Sequence, residues 1–232
     1  SYLDINSNGL YDRGSSFKSF LDLIFHTSFL KWIMNSLLVS FSVTLTGVTL
    51  ASTSAYALSR YRFIGKEFSM IALLTTQMFP ATMLLLPFFI LLSKLSLINS
   101  YLGLIIIYSS TALPFCIWQM KGYYDTIPAS LEESACMDGC NQFQAFYKII
   151  LPLSKPALVI TALFSFMSSW SEYVIAAIIL QDPELYTLPL GLKSFQASLS
   201  TQWGLYAAGA VLVSVPVVIL FISLSKYLVS GL

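Results

Sequence analysis

KGYYDTIPASLEESACMDGCNQFQAFYKIILPLSKPAL, residues 121–158, separates two long apolar runs and is too long to be a mere turn. Its residue types specify structure. Pro128 suits the first turn of a helix. Ser130 followed by Glu133 has the spacing of a capping box. Glu132 and Glu133 place negative charge in the first turns, where the helix dipole favours it. Gly139 ends that helix as a residue free to take positive φ. Asn141 and Gln144 repeat the capping-box spacing and start a second helix. Phe143, Phe146, Ile149 and Ile150 recur at helical spacing and give it an apolar face. Pro152 and Pro156 end it and lead into the next run. The expected product is a helix–Gly–helix knuckle that shows acidic and apolar groups together, as a docking element does. A pair of interfacial helices lying on lipid is the alternative. Asp125, Glu132, Glu133 and Asp138 oppose it, because residues 125–138 contain no base and anionic lipid repels them.

Outward from this loop the chain is apolar. A bilayer core of about 30 Å takes roughly 20 apolar residues in a helix. Five stretches satisfy that: Trp32–Ser59, Phe68–Ser93, Leu95–Met120, Ala157–Leu180 and Tyr206–Leu224. Charged residues make up 10% of the 232, against about 25% in soluble domains. That is too few to coat a soluble exterior. The mean hydropathy of +0.76 agrees, and a net charge of +1 leaves no basic surface for nucleic acid. Ser, Thr, Gly and Ala crowd residues 40–54, where small side chains let helix backbones approach in lipid. Pro80, Pro87, Pro114 and Pro216 fall inside spans, and each frees a carbonyl, so each is a candidate kink.

Lys and Arg in the connections set the orientation. Arg60, Arg62, Lys66, Lys121, Lys148, Lys155 and Lys226 fall on one side of the five spans, seven of the twelve basic residues. That side is cytoplasmic, so the 121–156 loop is cytoplasmic and residues 1–31 form an extracytoplasmic leading segment. Ser1–Ser19 reads as loop, with Asn8–Gly9 and Arg13–Gly14 as turn signals. A chain entering from outside implies a further transmembrane helix ahead of Ser1.

The residues for chemistry are sparse. Cys136 and Cys140 stand one helical turn apart, but no His or third Cys joins them. Two small buried thiols are expected rather than a metal site. His26 is the single histidine, so neither a Cys–His nor a His–Glu grouping exists and no catalytic residue is assigned. Gly65-Lys66 is followed by Glu67 rather than a hydroxyl residue and has no upstream Gly, so it is not a phosphate-binding loop. Glu172 is the one carboxylate within a span. Such a group faces protein or a water-filled cavity. It lines a pathway or outer gate with Trp170 and Tyr173, or it is a structural hydrogen-bonding group near the interface. A secondary transporter built around Glu172 is the competing function, although that class needs ionisable relays and Glu172 stands alone.

Glu133-Ser134-Ala135, Asp138-Gly139-Cys140 and Ile149-x-Leu151-Pro152 closely resemble the EAA loop of binding-protein-dependent ABC importer permeases, departing from it at Ser134 and Cys140, where Ala is usual. Asn35-Ser36, residues 55–63 (AYALSRYRF), Trp170-x-Glu172-Tyr173, Tyr186-Thr187-Leu188-Pro189 and Gly231-Leu232 are similar to the carbohydrate-uptake, MalG-like branch. The resemblance implies an all-α membrane helix bundle of the type I importer kind, with residues 32–232 as the permease domain. It implies coupling to an ATPase through Glu133, Ser134, Ala135, Asp138, Gly139, Ile149, Leu151 and Pro152. Glu133 would pair with a base of the ATPase, and Gly139 would form the bend that fits the ATPase cleft. The implied partners are an ABC ATPase homodimer that carries the ATP, a second, MalF-like permease, an extracytoplasmic substrate-binding protein, and lipid. The implied cargo is a di- or oligosaccharide, a polyol or glycerol phosphate, and the implied location a bacterial or archaeal cytoplasmic membrane. The family has six spans and a short tail after the Gly-Leu pair, so the first span and that tail would be absent here.

Overall fold

A computed structural model describes residues 18–196 and 203–229. The expected loop through residue 17 and the Gly231-Leu232 pair lie outside them. The leading segment is partly helical. Helix α1 spans Lys18–His26, and α2, Phe29–Arg60, begins before the expected span. Along α2, Ser36, Ser40, Gly47, Ala51, Ser52 and Ala55 are buried. This small-residue face lets two further helices lie close. A Cβ on Gly47 would stand 2.7 Å from Ser165 Oγ.

The second expected span is broken. Helix α3, Lys66–Thr76, stops short of Pro80; a 3₁₀ turn, Ala81–Leu84, follows, and α4 runs from Leu85 to Lys94. Pro80 cannot donate to the preceding turn and disfavours helix at Phe79. The hydroxyls of Thr75 and Thr76 donate to the carbonyls of Ile71 and Leu73 at 2.8 and 2.7 Å, a back-bonding that bends helices. The third span starts later than expected. Ser96 and Asn99 take left-handed backbone with φ 56° and 55°. Ser100 caps α5, Tyr101–Thr126, by accepting from Gly103 N at 3.1 Å.

The knuckle follows as α6, Ser130–Met137, then α7, Gln142–Ala145, a π-helical turn at Phe146–Ile150, and α8, Leu151–Leu153. Helix α9, Lys155–Trp170, leaves the Gln142–Leu153 stretch at 78°. The fourth expected span is also interrupted. After Trp170 the chain breaks at residues 171–173 and resumes as α10, Val174–Ile179. Helix α11, Leu188–Ser194, and α12, Trp203–Val229, complete the described chain, which contains no strand. Among the described residues Phe29–Arg60, Tyr101–Thr126 and Trp203–Lys226 are each long and apolar enough to cross a membrane alone.

Helices α2, α5 and α9 form the centre. Polar pairs stitch them: Thr46 Oγ1 to Ser109 Oγ at 2.8 Å, Thr161 Oγ1 to Gln119 Oε1 at 2.8 Å, and Cys116 Sγ to Ser165 Oγ at 3.4 Å. At the knuckle end Tyr56, Met120, Tyr124, Phe146 and Ile150 share one buried cluster. At the opposite end Trp32, Phe166, Trp170, Leu188 and Leu192 share another. There α11 lies directly on α2, since a Cβ on Gly191 would stand 2.2 Å from the Trp32 ring. Gly191→Ala is therefore expected to destabilise the fold by about 1–3 kcal/mol through overpacking, read as a lowered thermal-unfolding midpoint of the purified protein.

Candidate functional site: the knuckle and its anchor

The turn at the knuckle is built from backbone chemistry. Gly139 has φ 91°. Its N–H donates to Cys136 O, and Cys140 N–H donates to Ala135 O, both at 3.0 Å. This Schellman pairing satisfies the last carbonyls of α6. Immediately beyond it, Asn141 Oδ1 accepts from Gln144 N at 2.8 Å and Gln144 Oε1 accepts from Asn141 N at 2.9 Å, the expected capping box. The other expected box does not form. Ser130 is already inside the helix, because Pro128 O and Ala129 O accept from Leu131 N and Glu132 N. The helical turn begins at Pro128, so Ser130 stands too deep to cap it.

The second helix runs one residue past Pro152, to Leu153, and ends between Pro152 and Pro156. Leu151 N reaches back to Phe146 O, and this wider π turn accommodates a proline that lacks an N–H. Two further expectations change. The apolar face divides. Phe146 and Ile150 are buried and Ile149 is half-buried, whereas Phe143 is 75% exposed. Cys136 is exposed and Cys140 half-buried; the turn at Gly139 leaves both at the knuckle surface, not in the core.

The residues singled out for coupling take distinct positions. Glu133, Ser134, Asp138, Gly139 and Pro152 are exposed, Leu151 is half-buried, and Ala135 is buried. Met137, 89% exposed, Phe143 and Tyr147 add apolar surface to the same knuckle. An exposed carboxylate beside exposed apolar groups is a surface suited to a protein partner.

Glu132, a first-turn carboxylate of α6, points the other way. Its carboxylate pairs with Arg60 Nε and accepts from the Tyr56 hydroxyl at 2.6 Å. Arg60 Nη2 also donates to Ile127 O at 2.8 Å, and Tyr61 OH donates to Gln142 Oε1 at 2.7 Å. The Tyr56 ring lies 4.5 Å from that of Phe146. The end of α2 and the residue after it thus reach α6, α7 and the π-helical turn of the knuckle.

At the opposite end the helix break places Glu172 at the start of α10. Its oxygens accept from Val174 N at 3.0 Å, Ile175 N at 3.1 and 3.2 Å and Ala176 N at 3.3 Å, and from Tyr108 OH at 2.8 Å. Trp170 is 1% exposed, stacks on Phe166, and donates Nε1 to Val213 O at 3.2 Å. Tyr173 lines a cavity of about 420 Å³ with Ser171, Lys193, Gln196 and Tyr206. Two motifs distant in sequence meet nearby. Asn35 Nδ2 donates to Glu184 O and Tyr186 O at 3.0 and 2.9 Å, and Ser36 Oγ accepts from Leu188 N at 2.7 Å.

Residues 20–232 match the family model of the binding-protein-dependent transport system inner membrane component. The chain belongs to this family. It is a multi-pass inner-membrane permease subunit. It is similar to the maltodextrin transport system permease protein MdxG of Bacillus subtilis, 38% identical over 99% of this chain and 81% of that one. It is similar as well to the galactooligosaccharides transport system permease protein GanQ of the same organism, 40% identical over 88% and 72%. In structure it is similar to a chain of a bacterial ABC transporter involved in the import of the acidic polysaccharide alginate, with a TM-score of 0.80 and 27% identity, over 91% and 79% of the two chains. The two Bacillus relatives are transport permeases, and this chain shares the fold of the alginate transporter's chain.

Proposed function

We propose that this permease forms half of the translocation pathway of an ATP-driven importer for an oligosaccharide or related polyol or glycerol phosphate, and that the knuckle couples it to a separate ATPase. A second, MalF-like permease supplies the other half, and a substrate-binding protein delivers the solute from outside. ATP is bound and hydrolysed on the ATPase, which acts as a homodimer. The observation that carries the reading is the Schellman turn at Gly139, which holds Glu133, Met137 and Phe143 out on a rigid knuckle. The relatives' sugar-transport names support the cargo class.

The pathway reading draws on the two breaks. Non-helical backbone at membrane depth is tolerated where it is buried in protein or lines a water-filled cavity. The break near Pro80 borders a cavity of about 390 Å³ lined by Thr76, Gln77, Ser110 and Thr111. The break at residues 171–173 borders the cavity beside Tyr173. In this reading Tyr173 faces the pathway, while Trp170 and Glu172 hold the break in place as part of the outer gate.

Glu133→Lys tests the coupling. Mispairing a charge in a docked interface costs about 2–5 kcal/mol, and 2 kcal/mol raises the dissociation constant roughly 30-fold. The ATPase is expected to co-purify with the parental permease and to be lost from the Glu133→Lys variant, which remains in the membrane. Equal recovery of ATPase and an equal import rate from both would refute the assignment.

A further inference from the structure

The carboxylates of Glu132 and Glu133 are sequence neighbours with opposite settings. Glu133 is exposed, while the side chains of Glu132 and Arg60 are 13% and 16% exposed. We infer that Glu132, held by Arg60 and Tyr56, is a positioning residue that makes the knuckle and α2 move as one body, so that displacement of the knuckle by a docked partner becomes displacement of α2. This rests on the coupling role proposed above.

The geometry is that of a clasp. Tyr56 and Arg60 are one turn apart on α2, so both donors face the same way. One Glu132 oxygen takes the guanidinium and the other takes the hydroxyl. The same guanidinium holds Ile127 O, on the segment that enters the knuckle. The pair is shielded, so it escapes the solvent screening that weakens surface ion pairs.

Packing explains why a clasp is required. A cavity of about 310 Å³ lies between α2 and the knuckle, lined by Tyr56, Arg60, Tyr61, Glu132, Cys136 and Gln142 among others. Close-packed surfaces transmit displacement through contact. Across this gap there is no such packing, so the polar clasp carries the load on this side, and the Tyr56–Phe146 contact carries it on the other. Without the clasp, α6 can shift into the gap while α2 stays where it is. A rigid lever then becomes a loose joint.

The test uses the complete transporter in lipid, with ATPase, second permease and binding protein. Glu132→Gln, Arg60→Gln and the double variant are compared by solute imported per ATP hydrolysed, with ATPase recovered and unfolding midpoint measured alongside. Each single variant is expected to lower import per ATP about tenfold while the recovered ATPase stays within about twofold, and the double variant is expected to be no worse than either, because one link is broken in all three. Tyr56→Phe keeps the ring against Phe146 and is expected to lose about threefold, as one of two donors to the carboxylate is gone. A purely structural clasp would lower import only in proportion to the complex recovered, with import per ATP unchanged, and that result would overturn the inference, as would multiplicative losses in the double variant. Failure of the parental permease to retain an ATPase would take the coupling role down with it. An intact, coupled parental complex with an unaltered Glu132→Gln variant would remove the clasp alone.

Discussion

Gly139→Pro is expected to abolish ATP-driven import while the permease still inserts. Three constraints meet at this residue. Its φ of 91° is closed to proline, whose ring fixes φ near about −65°. Its N–H, which proline lacks, donates to Cys136 O. The Cys140 N–H beyond it closes the other half of the Schellman pairing on Ala135 O. Losing the turn re-aims α7 relative to α6, and with it Phe143 relative to Glu133. Proline is incompatible with this φ and removes a bonded N–H, so the knuckle refolds rather than strains. The apolar helices that decide insertion are untouched. Space is not the constraint, because a Cβ at Gly139 would meet nothing within 4 Å. Gly139→Asn, which tolerates left-handed backbone, is therefore expected to keep most of the import rate. Gly139→Ala is expected to fall between, at a strain of about 1–2 kcal/mol. Import into proteoliposomes at matched permease content checks the series. A parental rate for Gly139→Pro would show that the turn does not position the docking groups.

What was legible in the sequence was chemistry closed within a few residues. Gly139 at positive φ and the Asn141–Gln144 box depend on atoms at most a turn away, and both are as expected. The small residues of α2 were equally plain, because their meaning is that nothing protrudes. The structure departs from the sequence pattern where the deciding partner is far off along the chain. Pro80 marks a kink within the apolar Phe68–Ser93 run, but the contact that joins the break to its neighbour, Gln77 Nε2 donating to Thr111 O at 3.1 Å, reaches to another helix. Leu95–Asn99 is apolar enough to extend α5 backward. Its turn is fixed instead by Asn99, whose Oδ1 accepts from Gln181 N and Asp182 N at 3.0 Å. Glu132 and Glu133 are identical in type and adjacent. Which one faces inward is decided by Arg60 and Tyr56, on a different helix. The one local hint was that Tyr56 and Arg60 share a helix face at the end of the first long apolar run.

Glu172→Ala is expected to be the most destabilising single change at the opposite end. The helix break leaves the first N–H groups of α10 without intrahelical partners. The Glu172 carboxylate supplies them for Val174, Ile175 and Ala176, and takes the Tyr108 hydroxyl as well. A buried donor left unpaired costs about 1–3 kcal/mol, more where a charged partner is lost. Ile175 and Ala176 are buried, so water cannot replace the acceptor there. A loss of about 3 kcal/mol follows for the alanine variant. Glu172→Gln keeps one acceptor oxygen but turns an amide N–H₂ toward other donors, so it is expected to recover only part of the loss. The unfolding midpoint of the purified complex reads this directly. A carboxylate that contacts solute instead would leave the midpoint unchanged and raise the KM for import. The two outcomes separate because capping oxygens already engaged by backbone amides have little capacity left for a passing hydroxyl. A solute that displaced those amides would have to unpair the N-terminus of α10 at every turnover.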